Sequence, residues 1–218
     1  NLSLKQYYWL DLFKNWVKDD NYGLVGEKSG KLFMVEYSSP NTNKPLHLGH
    51  LRNIFLGDSV VSLLKSVGHE VVSTQIINDR GIHICKSMVA WDKYGQGDNP
   101  VESGLKGDHL VGKYYVHFDK VYRQEVASLV KEGLSEDEAK EKAPIFNAAK
   151  EMLVKWEKND EKVRSLWARM NGWVYDGFDQ TYSDLGVSFD KLYYESDTFE
   201  LGKEVVIKGI SNAVFYEK

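Results

Sequence analysis

Residues 36 to 52 hold the side chains best suited to chemistry: Glu36, Tyr37, Ser38, Ser39, Pro40, Asn41, Thr42, Asn43, Lys44, Pro45, Leu46, His47, Leu48, Gly49, His50, Leu51 and Arg52. His47 and His50 lie three apart, so both project to one side of a helix start and donate hydrogen bonds to phosphate oxygens. Where such oxygens gain charge in a transition state, a preorganised donor contributes roughly 3 kcal/mol. Gly49 has no side chain and lets a flat base lie against the backbone. Lys44 adds a positive point charge. On the other side, Glu36 and Asn41 supply a carboxylate and an amide, which suit a substrate bearing ammonium or guanidinium groups, and Ser39 joins them.

Other readings compete with this one. His47 and His50 also serve as ordinary polar residues at a helix start. With His83 and Cys85 they make a nominal zinc set, although structural zinc favours several thiolates in paired spacings, so no metal site is expected. Cys85 reads as a small buried hydrophobe. Glu36 is alternatively a core carboxylate capped by amides. Asn78 and Asp79 read equally as turn residues and as ligands. The tryptophans, Trp156, Trp167 and Trp173 among them, read as packing anchors before base-stacking platforms.

The elements that must position this segment follow from periodicity. Leu4, Tyr8, Trp9, Leu12, Phe13 and Trp16 predict an amphipathic helix over residues 4–18, broken by Gly23 and Gly26. The apolar run Leu32 to Tyr37 predicts a buried strand ending at Ser38-Ser39-Pro40-Asn41. A helix from about His50 to Gly68 carries Leu51, Ile54, Phe55, Val61 and Leu64 on one face. Another strand, Val71 to Ile77, completes a βαβ unit and implies a parallel sheet. The predicted class is α/β, a Rossmann-like parallel sheet with an inserted helical subdomain. In such sheets ligands bind beyond the carboxyl ends of the strands, where the segment from Glu36 to Arg52 lies.

From Gly95 to Asp108 the sequence is loop chemistry. Three helices follow, roughly 112–132, 135–158 and 160–184. The second opens with a Ser135–Glu138 capping box, and Pro144 kinks or splits it. The third carries Val163, Leu166, Trp167, Met170, Val174 and Phe178 as one apolar stripe. Residues 131–162 mix both charge signs and read as a solvated face. Strands are expected again at 189–194 and 213–216. The expected divisions are 1–30, an N-terminal helix and linker; 31–95, the first half of a Rossmann-like nucleotide-binding domain; 96–187, a mainly helical insertion; and 188–218, a return toward the sheet.

Composition narrows the class of protein. The 218 residues are 42% hydrophobic and 28% charged, which excludes a disordered or fibrous chain. With 28 Lys plus Arg against 32 Asp plus Glu, the net charge of −4 gives no overall footprint for nucleic acid. A lone cysteine, no membrane-length apolar run and no signal-peptide pattern lead to an expected cytoplasmic setting, away from membranes. The sequence starts without Met and stops inside an apolar run, so an excised piece of a longer protein is expected.

Glu36 to Arg52, with His47-Leu48-Gly49-His50 as a His-x-Gly-His motif, resembles the signature region of class I aminoacyl-tRNA synthetases. Ser38 to Asn41, Lys44-Pro45, His47 to Arg52, Gly57-Asp58 and Ile77 to Gly81 resemble the arginyl-tRNA synthetases in particular, as do Phe189-Asp190 and Tyr194-Glu195-Ser196 more weakly. The resemblance implies a ligase that activates L-arginine with ATP and Mg2+ and transfers the arginyl group to tRNA, with no tightly bound cofactor. It implies that Ser39, Pro40, Asn41 and His50, with Glu36, bind arginine. It implies that His47, Gly49, His50 and Lys44 serve ATP, with His47 and His50 catalytic. The family's Lys-Met-Ser-Lys-like loop, its later Tyr and Asp for the guanidinium and its anticodon-binding domain are absent, so the isolated piece is expected to be inactive and monomeric. Arg80 stands where many relatives carry a small residue and receives no role. The remaining alternatives are a non-catalytic module that binds nucleotide or a partner, another class I synthetase, and an adenylate-forming nucleotidyl transferase with a different small substrate.

Overall fold

A computed structural model describes residues 2–24 and 30–217. The sheet has three parallel strands in the order β1-β2-β3: β1 (Leu32–Glu36), β2 (Glu70–Ile77) and β3 (Lys191–Tyr194). Helix α2 (Leu48–Ser66) connects β1 to β2, whose register runs from Leu32 opposite Glu70 to Glu36 opposite Thr74. The βαβ unit read from periodicity is therefore present, and the chain is α/β with a Rossmann-like parallel sheet. Beyond β1, an isolated bridge joins Asn41 to Asn78, so the loop keeps parallel company with the end of β2.

β2 is the central strand and is buried along most of its length. Three polar residues in it are buried and hydrogen-bonded, as burial demands. The Ser73 hydroxyl and amide donate to Asp190 at 2.8 Å, Thr74 donates to the Lys191 carbonyl at 2.9 Å, and Gln75 accepts from Tyr182 at 2.9 Å. These bonds seat β3, more than a hundred residues later, beside β2.

Between β2 and β3 the chain is mainly helical: α3 (Ile82–Tyr94), a short α4 (Pro100–Ser103), α5 (Gly107–Lys131), α6 (Glu136–Lys142), α7 (Pro144–Glu157) and α8 (Glu161–Leu185). Pro144 splits the predicted second helix. Ala143 before it is held extended, at φ −55° and ψ 122°, and Pro144 opens α7 at a position where its missing N–H costs nothing. The capping box forms, with the Glu138 amide donating to Ser135 Oγ at 3.3 Å and the Ser135 amide to Glu138 at 3.1 Å. The stripe on α8 is the core face: Val163, Met170, Val174 and Phe178 are buried. Trp156 is buried too, edge-on to Trp167, with Arg164 stacked over its ring. One hydrophobic cluster runs from Tyr37, Ile54 and Val61 through Met88 to Trp156 and Phe178, so the sheet and the helices share a core.

Four expectations change. The run from Leu32 forms β1, but as an edge strand with Leu32 and Met34 exposed rather than as a buried strand. The predicted strand at 213–216 is absent: α9 (Glu195–Ser211) ends there, and the amides of Val214 and Phe215 fold back onto the Gly209 carbonyl. Ala213 at φ +54° breaks any extended run. Residues 95–108 include the turn of α4, capped by Asn99 and started by Pro100. Helix α1 (Gln6–Trp16) forms, but its aromatic face, Tyr8, Trp9 and Phe13, is exposed rather than packed. Gly23 takes φ +88°, while Gly26 lies outside the described residues. Among the described residues no helix is long and apolar enough to cross a membrane.

Candidate active site at the strand ends

The signature loop leaves β1 through a strained turn. Ser38 and Ser39 have φ of +67° and +42°, and the Ser39 amide donates back to the Tyr37 carbonyl at 3.0 Å. The Tyr37 ring lies against α2 at Gly57, where an added Cβ would come within 2.1 Å of Cγ of the ring, so only glycine admits this approach. Downstream, Pro45 packs on α5 at Gly112, where a Cβ would fall 2.7 Å from Pro45 Cδ. The loop is thus braced by α2 on one side and by α5 on the other.

His47 is the N-cap of α2, and His50 is its third residue. The Gly49 amide donates to His47 Nδ1 at 3.1 Å, and the His47 amide donates to His50 Nδ1 at 3.1 Å. Each neutral imidazole accepts at Nδ1 and therefore carries its proton on Nε2, which makes both rings donors of fixed tautomer. Their centroids are 4.0 Å apart. Burial first, then the charges of His47 and Lys44, holds the His50 pKa below the ordinary histidine value. Neutral His50 is the form that keeps this cap intact. A Cβ on Gly49 would lie 3.0 Å from the His47 ring, so the room that glycine leaves is filled by that imidazole.

On the strand side, Ser39 Oγ donates to Glu36 at 2.9 Å and accepts from the Ile76 amide at 3.1 Å. One lone pair remains for a ligand. Glu36 is exposed, which removes the core-carboxylate reading. Asn41 is exposed, Pro40 buried and Lys44 half-buried.

A cavity of about 420 Å³ opens at the carboxyl ends of β1 and β2, lined by Asn41, Asn43, Asn78, Arg80, His83 and Glu195 among others. Only Asn41 of the sequence-predicted residues lines it; Glu36, Ser39, His47 and His50 lie outside it. Burial first, then the charges of Lys86 and Lys44, holds the His83 pKa below the ordinary histidine value, so Lys44 acts on both His83 and His50. A larger cavity of about 680 Å³, with Trp91, Met152 and Arg169 in its wall, contains none of the predicted residues. The strand-end cavity is where parallel α/β sheets place ligands, and it is the one that reaches a sequence-predicted residue, Asn41.

Arg80 carried no role in the sequence reading, and Asn78 and Asp79 read equally as turn residues and as ligands. Arg80 lies 4.0 Å from the centre of the Phe199 ring and pairs with Glu157 at 3.0 Å and Glu195 at 3.6 Å. Asp79 is 1% exposed. Its carboxylate accepts from Tyr175 at 2.9 Å and from the amide and hydroxyl of Ser196 at 2.8 and 2.6 Å. Its carbonyl accepts from Trp167 at 2.6 Å and Asn171 at 3.1 Å. Asp79 therefore ties the end of β2 to α8 and α9, and Asn78 supplies the bridge to Asn41. The sequence signals for this cluster were Asn78-Asp79-Arg80 and, more weakly, Tyr194-Glu195-Ser196, both part of the resemblance. Burial pushes the Cys85 thiol up to about 12. Among the described residues no group of three or more His, Cys, Asp or Glu is placed to hold a metal ion.

Comparison with known proteins agrees with this arrangement. The family model for "tRNA synthetases class I (R), catalytic domain" matches residues 14–208. The chain is 54% identical over its whole length to the arginine–tRNA ligase of Bacteroides fragilis, covering 37% of that protein. It is 55% identical over 99% of its length to the corresponding ligase of Flavobacterium psychrophilum, covering 36% of it. The chain thus spans little more than a third of the curated relatives it matches. Among solved structures, the fold resembles an arginyl-tRNA synthetase of Thermus thermophilus, with TM-score 0.55, 22% identity and 88% of this chain covered against 28% of that one. It also resembles a putative arginyl-tRNA synthetase of Campylobacter jejuni, with TM-score 0.59, 18% identity and 99% of this chain covered against 42% of that one. Braced histidine pair, strand-end cavity and sequence kinship over nearly every residue lead to one assignment: the chain belongs to the class I tRNA synthetase (R) catalytic-domain family.

Proposed function

We propose that this chain contributes the amino-acid and ATP sites of a ligase that activates L-arginine as arginyl adenylate and passes the arginyl group to tRNA. The arginine carboxylate attacks the α-phosphorus of ATP, and pyrophosphate leaves as the new acyl–phosphate bond forms. The observation that carries this reading is the histidine pair, whose Nδ1 atoms are held by backbone amides so that the donors are the two Nε2–H groups. Such donors stabilise charge that grows on phosphate oxygens without reorganising at the moment of reaction. His47 and His50 take this catalytic part, with Gly49 and Lys44 beside them on the ATP side.

Arginine lies on the strand side, its α-ammonium facing the free lone pair of Ser39 and the Asn41 amide oxygen, with Pro40, Glu36 and His50 at the margin. Mg2+ enters as the ATP–Mg2+ substrate. In this reading residues 31–95 form the first half of the nucleotide-binding domain, and residues 96–187 are an insertion that supports it.

Asn41→Ala in the full-length ligase tests this assignment by arginine-dependent ATP–pyrophosphate exchange. One lost hydrogen bond to a charged group is worth about 1.5–3 kcal/mol, so the KM for arginine should rise by roughly ten- to a hundredfold with the KM for ATP little changed. Equal losses for both substrates would make Asn41 a brace of the loop, and an unaltered arginine KM would remove it from the pocket.

A further inference from the structure

The turn that leaves β1 is left-handed at two successive residues, neither of them glycine: Ser38 at φ +67° and Ser39 at φ +42°. Ser38 is the centre of a three-residue turn closed by the Ser39 amide on the Tyr37 carbonyl, a form rare among L residues. Such a conformation persists only where the surroundings over-determine it. Three of the groups that hold it are local to the β1–α2–β2 unit. Asn53 Oδ1 accepts from the Ser38 amide, the Ile76 amide donates to Ser39 Oγ, and Ser39 Oγ donates to Glu36.

The fourth comes from α8. The Tyr182 hydroxyl lies 2.7 Å from Ser38 Oγ, across 144 residues of sequence, and also 2.9 Å from Gln75 Oε1. Gln75 Oε1 can only accept, so the single phenol proton goes to it and Ser38 Oγ donates to Tyr182. Ser38, Gln75 and Tyr182 are all buried. The Tyr182 ring is packed edge-on to Phe189 and against Phe178, contacts that do not involve the hydroxyl.

We propose that the Tyr182 hydroxyl is a positioning residue for the arginine site, clamping the Ser38–Ser39 turn in the left-handed form that aims Ser39 and Asn41 at the amino acid. The inference rests on the reading that these two residues bind arginine. Without the hydroxyl, Ser38 loses its buried partner and relaxes toward negative φ, which carries Ser39 Oγ and the chain leading to Asn41 out of register.

The test is arginine activation by the full-length ligase, measured as ATP–pyrophosphate exchange for the wild type, Tyr182→Phe, Tyr182→Phe with Ser38→Gly, and Ser39→Ala. Tyr182→Phe should raise the KM for arginine about tenfold and leave the KM for ATP within about twofold. Adding Ser38→Gly should bring the arginine KM back to within about threefold of wild type, because glycine takes φ +67° without strain and needs no clamp. A residue that merely fills the core would show neither the split between substrates nor the rescue. An arginine KM unchanged in Tyr182→Phe, an equal rise for both substrates, or a rise that Ser38→Gly fails to reverse overturns the proposal.

Ser39→Ala reports on the underlying reading separately. If it raises the arginine KM while Tyr182→Phe is silent, the pocket stands and the clamp falls. Were it silent while Tyr182→Phe is active and rescued, the clamp stands and Ser39 leaves the pocket; silence in both overturns both. Should Tyr182→Phe be insoluble, Ser38→Ala cuts the same hydrogen bond, keeps the Tyr182–Gln75 pair and is judged by the same arginine and ATP constants.

Discussion

His47 caps a helix in this structure and has a second task in the proposed reaction, and a pair of substitutions separates them. Its Nδ1 caps α2 by accepting from the Gly49 amide at 3.1 Å, and its Nε2–H is the proposed phosphate donor. His47→Ala removes both. The lost cap costs about 1 kcal/mol, which for a chain of this size lowers Tm by roughly 2–4 °C. The lost donor costs roughly 3–4 kcal/mol in the transition state, or about 10²–10³ in kcat for arginine activation.

His47→Asn removes only the second, because asparagine is among the best N-cap residues and its amide oxygen accepts from the same first-turn amides. The expected result is that Asn restores the melting temperature to within about 1 °C of wild type while kcat stays down by 10² or more. ATP binding in the absence of arginine should change by less than about threefold, since the donor acts where charge develops. The assays are thermal unfolding of this chain, with ATP–pyrophosphate exchange at saturating substrates and calorimetric ATP binding on the full-length protein. If His47→Asn recovers kcat to within a few-fold, the imidazole is a helix cap and the catalytic assignment is wrong.

Three further outcomes follow from the packing and charge. The His50 pKa lies below its ordinary value of about 6.5, so the stability linked to its neutral form is present above that pH and lost as pH falls below it. An NMR titration of the His50 ring should give a midpoint under 6.5, and a midpoint at or above it would contradict the burial and the Lys44 proximity. Gly57→Ala forces a Cβ to 2.1 Å from the Tyr37 ring, so chemical denaturation should show a loss of about 1–3 kcal/mol; a neutral effect would mean that Tyr37 does not lie on α2. Cys85, its thiol pushed up to about 12 by burial, should resist iodoacetamide at pH 8 in the folded chain and react fully in guanidinium, as read by mass spectrometry. Rapid alkylation of the native protein would show that α3 opens.

What the sequence by itself determined is what spacing encodes. The run Leu32 to Tyr37, the loop with two histidines three apart and the helical pattern after it specify β1, the turn and α2, since each depends on neighbours within a few residues. The Ser135–Glu138 box and the break at Pro144 belong to the same class, because caps and proline act through the adjacent backbone. Tertiary structure decided the rest. Residues 213–216 are as apolar and β-prone as a strand, yet no strand lies beside them, and their amides close the end of α9 instead. The aromatic face of α1 has the right period for a core, yet among the described residues it stays exposed. Arg80, His83 and Glu195 reach one cavity, Asp79 binds Ser196 and Tyr182 meets Ser38, over separations as large as 144 residues. Periodicity reports which face of an element is apolar. Which distant polar groups pair follows only when desolvation forces each buried donor to find an acceptor inside the fold.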